Sequence, residues 1–327
     1  MLLPRLRMAL VGFPDEALPQ TLLRARTSPG WETTSLDEAD ALWVAGQSAR
    51  MEANSLVRVW NGDGRPAVVL HLNTLQRPLA FAAPIADDHL HAVERVDLRS
   101  PPSVDQSLRR TEQALRAVLL QLGMAHQIAT RMLSLTAHTY HVMLNEKLVA
   151  VVSVPGRIGI ELNTRPEDLP HARWVARPAA ANDFPKWFLP TSFAECLWLY
   201  ASRIPTDLLP PRYRKAPLYF RCVPRVSQRL VQNRHYAVLS DLAAAPKTFA
   251  ELQQSIGLPE AELDSVLTVL YFSGSLTCNR ERAARGGAPG NRDAVTMSEL
   301  RNSMFPQGAQ ASGGPEATLP APLEWRP

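Results

Sequence analysis

The sequence predicts a protein of mixed α and β structure, made of an α/β domain, an α+β domain and a C-terminal domain of three helices. Short apolar runs separated by helical segments predict a small parallel sheet in the first domain, residues 1–100. Alternating apolar residues joined by turn residues predict an antiparallel meander in the second domain, residues 103–205. A helix-capping motif followed by a glycine predicts the helices of the third domain, which follows a basic linker within residues 206–280.

In the first domain, predicted strands alternate with predicted helices. A helix that contains Leu18 and Leu22 separates the first strand from a second strand near Trp31, and the segment from Trp31 to Asp40 leaves room for one helical turn. The other apolar runs are the first, third, fourth and fifth predicted strands, at residues 8–12, 41–45, 68–70 and 79–81.

The order of these elements over residues 7–85 resembles that of a bacterial receiver domain. Members of that family carry a phosphorylated Asp at the end of the third strand, Ser or Thr after the fourth, and Lys-Pro after the fifth. Here the third strand ends at Ala45, the fourth reaches His71, and the fifth ends in Ala83-Pro84, so only the proline is retained. Because an aspartyl phosphate cannot form on alanine, the resemblance implies a receiver-like fold without phosphorelay chemistry. An unrelated α/β domain is the alternative interpretation.

The second domain is predicted to begin with a long amphipathic helix that starts at Ser103 and ends at Gly123. Turn residues at 145–147 and 155–157 separate the predicted strands of the meander. These strands span residues 138–144, 148–154 and 158–162, and a further helix covers residues 192–203.

The third domain is predicted from helix signals at residues 233–279. A helix at 233–244 is followed by the capping box Thr248 to Glu251, which starts a second helix that Gly257 ends. A third helix runs from Pro259 to Phe272, and a strand follows it. This order is typical of a winged-helix domain. Residues 281–327 are rich in Gly, Pro, Ala, Ser and Arg, and we expect them to form a largely disordered tail.

The third helix carries the candidate partner-binding residues, because in DNA-binding relatives of this module that helix reads the bases. Its polar residues include three carboxylates and no Lys or Arg, and such a helix repels the phosphate backbone. Contact with a protein is therefore predicted instead of direct readout of DNA. The candidates are Glu260, Glu262, Asp264, Ser265 and Thr268. The alternative is a transcription regulator that holds DNA through the basic flanks Arg221, Arg225, Arg280, Arg282 and Arg285.

The basic segment before that module is the second candidate site. Aromatic residues lie between its cations, and this mixture suits an anionic partner with stackable rings, such as a nucleic acid or a nucleotide. Arg221 and Arg225 also resemble the R-x-x-x-R motif that binds cyclic di-GMP in PilZ-type domains, although the companion D/N-x-S-x-x-G element is absent. A solvated linker, or one paired with the acidic third helix, is the alternative. The candidate cations are Arg212, Arg214, Lys215, Arg221, Arg225, Arg229 and Arg234.

No motif in the sequence indicates a particular reaction. Gly12 stands alone after the first strand, without a dinucleotide-binding or P-loop glycine pattern, and no nucleophile elbow or zinc-protease motif occurs. His89 and His91 point to different faces of a helix, so their acidic neighbourhood is interpreted as a loop or helix start. We therefore expect a protein that is not an enzyme and has no cofactor or metal, with an enzyme of unfamiliar type as a third possibility.

The sequence also predicts where the protein resides. Three cysteines without paired spacing fit a reducing cytoplasm, and no apolar stretch is long enough for a signal peptide or a membrane span. The formal net charge of +4 is mild. Together these observations predict a bacterial, cytoplasmic regulatory or adaptor protein that acts through protein partners, with nucleic acid or cyclic dinucleotide as the alternative ligand.

Overall fold

A computed structural model describes residues 4–13, 30–52, 55–60, 66–131, 134–154, 156–204 and 209–283. The predicted helix with Leu18 and Leu22, the flank Arg285 and residues 284–327 of the predicted tail lie outside these ranges. In the part of the chain that is described, no helix combines the length and the apolar character needed to cross a bilayer.

The N-terminal region contains the predicted parallel sheet. The order of its strands is β2-β1-β3-β7-β8, and every neighbouring pair is parallel. All five residues of the central strand β3 are buried, because the sheet is covered on both faces. The strands are β1 (Leu6–Val11), β2 (Trp31–Thr33), β3 (Ala41–Ala45), β7 (Leu79–Ala82) and β8 (Arg95–Val96).

A small antiparallel sheet stands between β3 and β7, where the sequence predicts the fourth parallel strand. It consists of β4 (Ala49–Glu52), β5 (Leu56–Trp60) and β6 (Pro66–His71), in that order. The prediction that residues 68–70 form a strand of the parallel sheet is therefore wrong, because this strand is antiparallel and belongs to the small sheet. Val57, Val59 and Leu70 are buried while Val69 is exposed, which is the one-sided burial of a surface sheet. Consequently Ala83-Pro84 follows the fourth parallel strand, and the fifth is β8.

Two consecutive helices, α1 (Pro101–Ala114) and α2 (Arg116–Arg131), replace the single predicted helix. The side chain of Ser100 caps α1 by accepting a hydrogen bond from the Ser103 N–H, and prolines are tolerated in this first turn. Gly123 does not end the helix but lies within α2. A Cβ there would stand 2.9 Å from Leu169 Cδ1, so glycine permits close packing against the 3-10 helix Pro166–His171.

The middle region forms a second sheet that contains the predicted meander. Its strands are β9 (Thr139–Leu144), β10 (Lys147–Ser153), β11 (Arg157–Glu161), β12 (Arg173–Arg177) and β13 (Phe188–Ser192). They are antiparallel in the order β12-β9-β10-β11-β13. Helices α2 and α3 (Phe193–Ala201) join the core on the face that carries Tyr140 and Val142.

Residues 178–187, which we name the strap, cross the opposite face of this sheet. They connect β12 to β13, which lie at opposite edges. The Thr139 hydroxyl donates to Ala179 O at 3.4 Å, and His141 Nε2 donates to Ala181 O at 3.1 Å. Further along, the Phe184 ring occupies the space where Gly159 has no side chain: a Cβ there would lie 2.3 Å from the ring.

The C-terminal region contains the three predicted helices. They are α5 (Asn233–Ala244), α6 (Phe249–Ile256) and α7 (Glu260–Phe272), preceded by the short helix α4 (Arg212–Lys215). The predicted capping box is present at Thr248 and Glu251, and Gly257 ends α6 in the left-handed conformation at a φ of 75°.

The strand after α7 is completed by residues that precede the three helices. Strand β15 (Leu276–Thr277) pairs with β14 (Tyr219–Phe220), and Leu218 forms a bridge with Lys247. Within the described residues, which end at 283, no second strand follows β15. The pairing thus ties the beginning of the basic segment to the end of the helical module.

Helix α7 is a core helix. Every residue from Val266 to Phe272 is buried, although a helix on the surface would bury only one face. It packs against α3, and the second sheet and the C-terminal helices share one continuous hydrophobic core.

Candidate functional site

The two predicted sites, the acidic helix and the basic segment, contact each other. Arg214 Nη2 lies 2.6 Å from Asp264 Oδ1, and Arg214 Nη1 lies 3.9 Å from Glu260. Arg234 Nη1 lies 3.1 Å from Glu262 Oε1. Two of the candidate cations therefore neutralise the carboxylates of α7, which is the alternative that the sequence left open.

Arg234 extends this pairing to the N-terminal region. Its Nη2 lies 2.6 Å from Glu38 Oε1, in the connection between β2 and β3. Partial burial acts to raise the pKa of Glu38, but the hydrogen bond from Arg234 and the charges of Arg7 and Arg234 hold it below its usual range. Glu38 is thus held in its charged form by cations from two parts of the chain.

Arg7 and Arg203 carry the contact further. Arg7 Nε lies 3.0 Å from Glu32 Oε1, and Arg7 Nη2 donates to Ser202 O at 2.9 Å. Arg203 pairs with Asp40, whose other oxygen accepts the Arg7 N–H at 2.9 Å. The side chains of Arg203 and Asp40 are only 6% and 8% exposed. We call this set the junction network: Arg7, Glu32, Glu38, Asp40, Arg203, Arg234 and Glu262.

The junction network was not predicted as a site. Its acids are isolated in the sequence, and their partners are far along the chain, so no spacing pattern marks them. The one available signal is that Asp40 immediately precedes a fully buried strand, where a charge needs a partner. The network lies at the amino-terminal ends of β1 and β3, whereas ligands of such sheets bind at the carboxyl ends.

The carboxyl ends of the parallel strands are filled by protein. A Cβ on Gly12 would lie 2.6 Å from Val59 of β5, and one on Gly46 would lie 2.6 Å from Ala82 O. Ser48 Oγ donates to Gly12 O at 3.1 Å across the same edge. Among the described residues, the space beside Gly12 and Gly46 is thus occupied by neighbouring protein atoms.

The acidic neighbourhood of His89 has a structural role. Asp87 caps the 3-10 helix Asp88–Ala92 by accepting from the His89 N–H at 3.0 Å, and it accepts from the Met51 N–H at 2.7 Å. The described ranges contain no group of three or more His, Cys, Asp or Glu side chains placed to hold a metal ion.

The remaining candidates on α7 differ in accessibility. Ser265 is exposed, but Thr268 is 4% exposed and its hydroxyl donates to Asp264 O at 2.7 Å. In this conformation Thr268 cannot touch a partner. The second half of α7 is enclosed in the core, so only residues in its first half are accessible to a partner.

The remaining cations of the basic segment lie in different surroundings. Arg212 lies over the Tyr213 ring at 5.4 Å, Lys215 and Arg225 are exposed, and the side chain of Arg229 lies outside the described set. The backbone at both ends of the R-x-x-x-R motif is held: the Arg221 N–H donates to Ser275 O at 2.9 Å, and Arg225 O accepts from Ser192 Oγ at 3.3 Å. The flanks Arg280 and Arg282 form a 3-10 turn after β15.

Among the described residues of the middle and C-terminal regions, the most exposed large apolar side chains are Trp187, Val223 and Tyr236, ahead of Leu162 at 40%. Trp187 at the end of the strap is 70% exposed, Val223 within the R-x-x-x-R motif is 66% exposed, and Tyr236 on α5 is 49% exposed. Aromatic side chains of this kind are enriched in protein interfaces. A comparison of the chain with protein-family models, with curated proteins and with solved structures found no match.

Proposed function

We propose that this chain is a bacterial, cytoplasmic regulatory or adaptor protein that acts through contacts with other proteins and catalyses no reaction. One observation carries the proposal: the second half of α7 is enclosed in the core and Glu262 and Asp264 are paired internally, while Trp187, Val223 and Tyr236 stand exposed. The surface that remains available is of the kind that proteins bind. The free thiols of Cys196, Cys222 and Cys278 support a reducing compartment.

The N-terminal region serves, in this proposal, as a receiver-like domain that lacks the phosphorylation residues. The support is its strand order, in which the second strand lies outside the first and the third, fourth and fifth follow on the other side. The third strand ends at Ala45 and is followed by Gly46, so no carboxylate stands where a phosphate would be accepted.

The C-terminal region serves as a winged-helix-type module with a structural or protein-binding role. The support is the sequence of three helices and a strand, together with the burial of the third helix against α3. The burial of this helix and the three carboxylates in its first half support a role in protein contacts instead of DNA readout.

The test is a pull-down from bacterial cytoplasm with the tagged full-length chain, in parallel with and without nuclease. We expect protein partners that persist after nuclease treatment and are lost from the Trp187→Ala/Val223→Ala variant. The matched control is Gln254→Ala, which changes an exposed polar side chain of α6 and should keep the partners. Partners that disappear with nuclease, or no partner at all, would contradict the proposal.

Binding of a nucleic acid or a cyclic dinucleotide is the second candidate. The observation that favours it is that backbone hydrogen bonds fix the chain at both Arg221 and Arg225, and that the Arg225 side chain is exposed. Calorimetric titration of cyclic di-GMP and of single-stranded DNA at low salt tests it. Binding that is lost in Arg221→Ala/Arg225→Ala and weakens steeply with added salt would support this candidate, and the absence of heat would exclude it.

A further inference from the structure

Strand β12 forms an edge of the second sheet. It is hydrogen-bonded to β9 on one side, and no strand among the described residues pairs with its other side. Its five residues are regularly paired with β9 from Arg173 to Arg177, without a bulge. A regular strand with an unpaired side presents backbone N–H and C=O groups to which an extended segment can add.

The strap leaves this edge uncovered. After Arg177 it turns inward over β9, where Ala179 and Ala181 accept hydrogen bonds from Thr139 and His141. Its path then continues toward Gly159 and β13, at the other edge. The strap therefore buries the face of the sheet but not the outer side of β12.

The side chains of β12 determine which charge a strand that pairs with this edge should carry. Arg173, Val175 and Arg177 share one face, because alternate residues of a strand point the same way. Arg173 and Arg177 are exposed and Val175 is partly buried. The Arg173 partner is Glu146 at 3.2 Å, but the two side chains are 63% and 85% exposed, so this pair is weak and can exchange.

We propose that β12 binds an extended acidic segment of another protein by strand addition, with two acidic residues flanking an apolar one at alternate positions. This rests on the proposed function and names its partner chemistry. Side chains directly opposite each other on neighbouring strands lie within interaction distance, so the acids would face Arg173 and Arg177 and the apolar residue would face Val175.

A second copy of the chain is disfavoured as the occupant. A two-fold axis at Val175 would place Arg173 of one strand opposite Arg177 of the other, and like charges directly opposite destabilise a strand pair. An acidic strand meets the same two arginines as opposite charges. In this register the edge therefore favours an acidic partner over a second copy of itself.

The experiment uses the full-length chain and a fluorescent peptide in which glutamate, valine and glutamate alternate with threonines. The palindromic order lets the peptide pair in either direction. We expect the peptide to bind about tenfold more tightly than its lysine-for-glutamate counterpart, and Arg173→Glu/Arg177→Glu to reverse this preference. N-methylation of all backbone amides of the peptide should abolish binding, because strand addition depends on them.

A glutamate peptide that binds both chains equally, or whose N-methylated form binds as well, would overturn the proposal. Reversal of the charge preference shows that the variant is folded and that the edge is the site. The proposed function is judged separately, by nuclease-resistant partners that depend on the exposed side chains of Trp187 and Val223. Loss of one result therefore leaves the other interpretable.

Discussion

Arg203 and Asp40 form a buried ion pair. Both side chains are almost completely buried, and each also contacts further groups: Asp40 accepts the Arg7 N–H, and Arg203 Nη1 donates to Leu199 O at 3.0 Å. Burial lowers the pKa of Arg203, while the nearby charge of Asp40 opposes that shift. Removing one partner leaves a buried charge without compensation, which costs more than the pair contributes.

We therefore expect Asp40→Ala to lower the free energy of unfolding by about 3–5 kcal/mol. The double variant Asp40→Leu/Arg203→Met should lose less, because it removes both charges and fills their volume. Denaturant unfolding followed by circular dichroism measures both. Arg173→Gln is the control, since its exposed pair contributes about 0.5 kcal/mol. A double variant as unstable as Asp40→Ala would show that the pair itself stabilises the fold.

His235 gives the protein a dependence on acid. It is buried against the Trp198 ring, at 4.9 Å between centroids, and its Nδ1 accepts from the Gln232 N–H at 2.9 Å. The pKa of His235 is lowered from 6.5 to about 4, mainly by burial and in smaller part by the charge of Arg234. At a pH below the ordinary pKa of histidine, His235 therefore binds a proton in the unfolded chain that it does not bind in the folded chain.

Stability should consequently fall as the pH drops from about 6.5 to about 4, by up to about 3 kcal/mol from this residue. His235→Gln keeps an acceptor for Gln232 without a titrating group, so its unfolding free energy should change less over this range. The exposed His171→Gln is the control and should retain the dependence of the natural chain. Equal pH profiles for the natural chain and His235→Gln would refute this assignment.

At the scale of elements, local signals identified the helices and the meander. The capping box at Thr248, the left-handed Gly257 and the turn at Asn145 act within a few residues, so the sequence displays them directly. The errors lie where a distant contact decides. Gly123 is a residue typical of a helix end, but here the helix continues through it. Glycine is needed at this position because Leu169 packs too close for a side chain. The apolar run at Val68 to Leu70 does not reveal that one of its faces is in water.

The strap is a further element that local signals do not reveal, and Gly159 is its key position. Gly159→Ala would place a Cβ 2.3 Å from Phe184, so the ring must leave the sheet. We expect a loss of about 1–3 kcal/mol, as in other overpacked sites, together with faster proteolysis within residues 178–187. Gly159→Ala/Phe184→Ala should regain part of that stability, because the clash is removed.

Calorimetry and limited proteolysis check these expectations for the strap. Phe184→Ala alone is the control for the clash. It measures what is lost when the ring no longer packs on the sheet and no longer contacts the Arg157 guanidinium, which lies 5.1 Å from the ring centroid. If Gly159→Ala alone were as stable and as protease-resistant as the natural chain, the ring would not be held on the sheet by this glycine.

At the scale of the whole molecule, the sequence predicts separate domains, but the candidate residues turn out to join them. The sequence predicts the candidate acids of α7 and the candidate arginines of the basic segment as two separate surfaces, but in the structure Arg214 and Arg234 form ion pairs with Asp264, Glu262 and Glu38. Pairing across a tertiary junction cannot be inferred from composition, since Glu38 and Arg234 are separated by most of the chain. The apolar contacts behave likewise, because one core runs from the second sheet into the C-terminal helices.

The junction network should make the N-terminal sheet unfold together with the remainder of the chain. The core clusters of that sheet are separate from the main core except through α2, which packs against both, so the charge contacts at Glu38 and Asp40 are a second link between the two regions. We expect one calorimetric transition for the natural chain and two for Glu38→Gln/Asp40→Asn, with the first at lower temperature. Arg173→Gln should keep a single transition, since its pair lies outside the junction. A single, merely shifted transition in Glu38→Gln/Asp40→Asn would mean that apolar contacts, and not these ion pairs, couple the two regions.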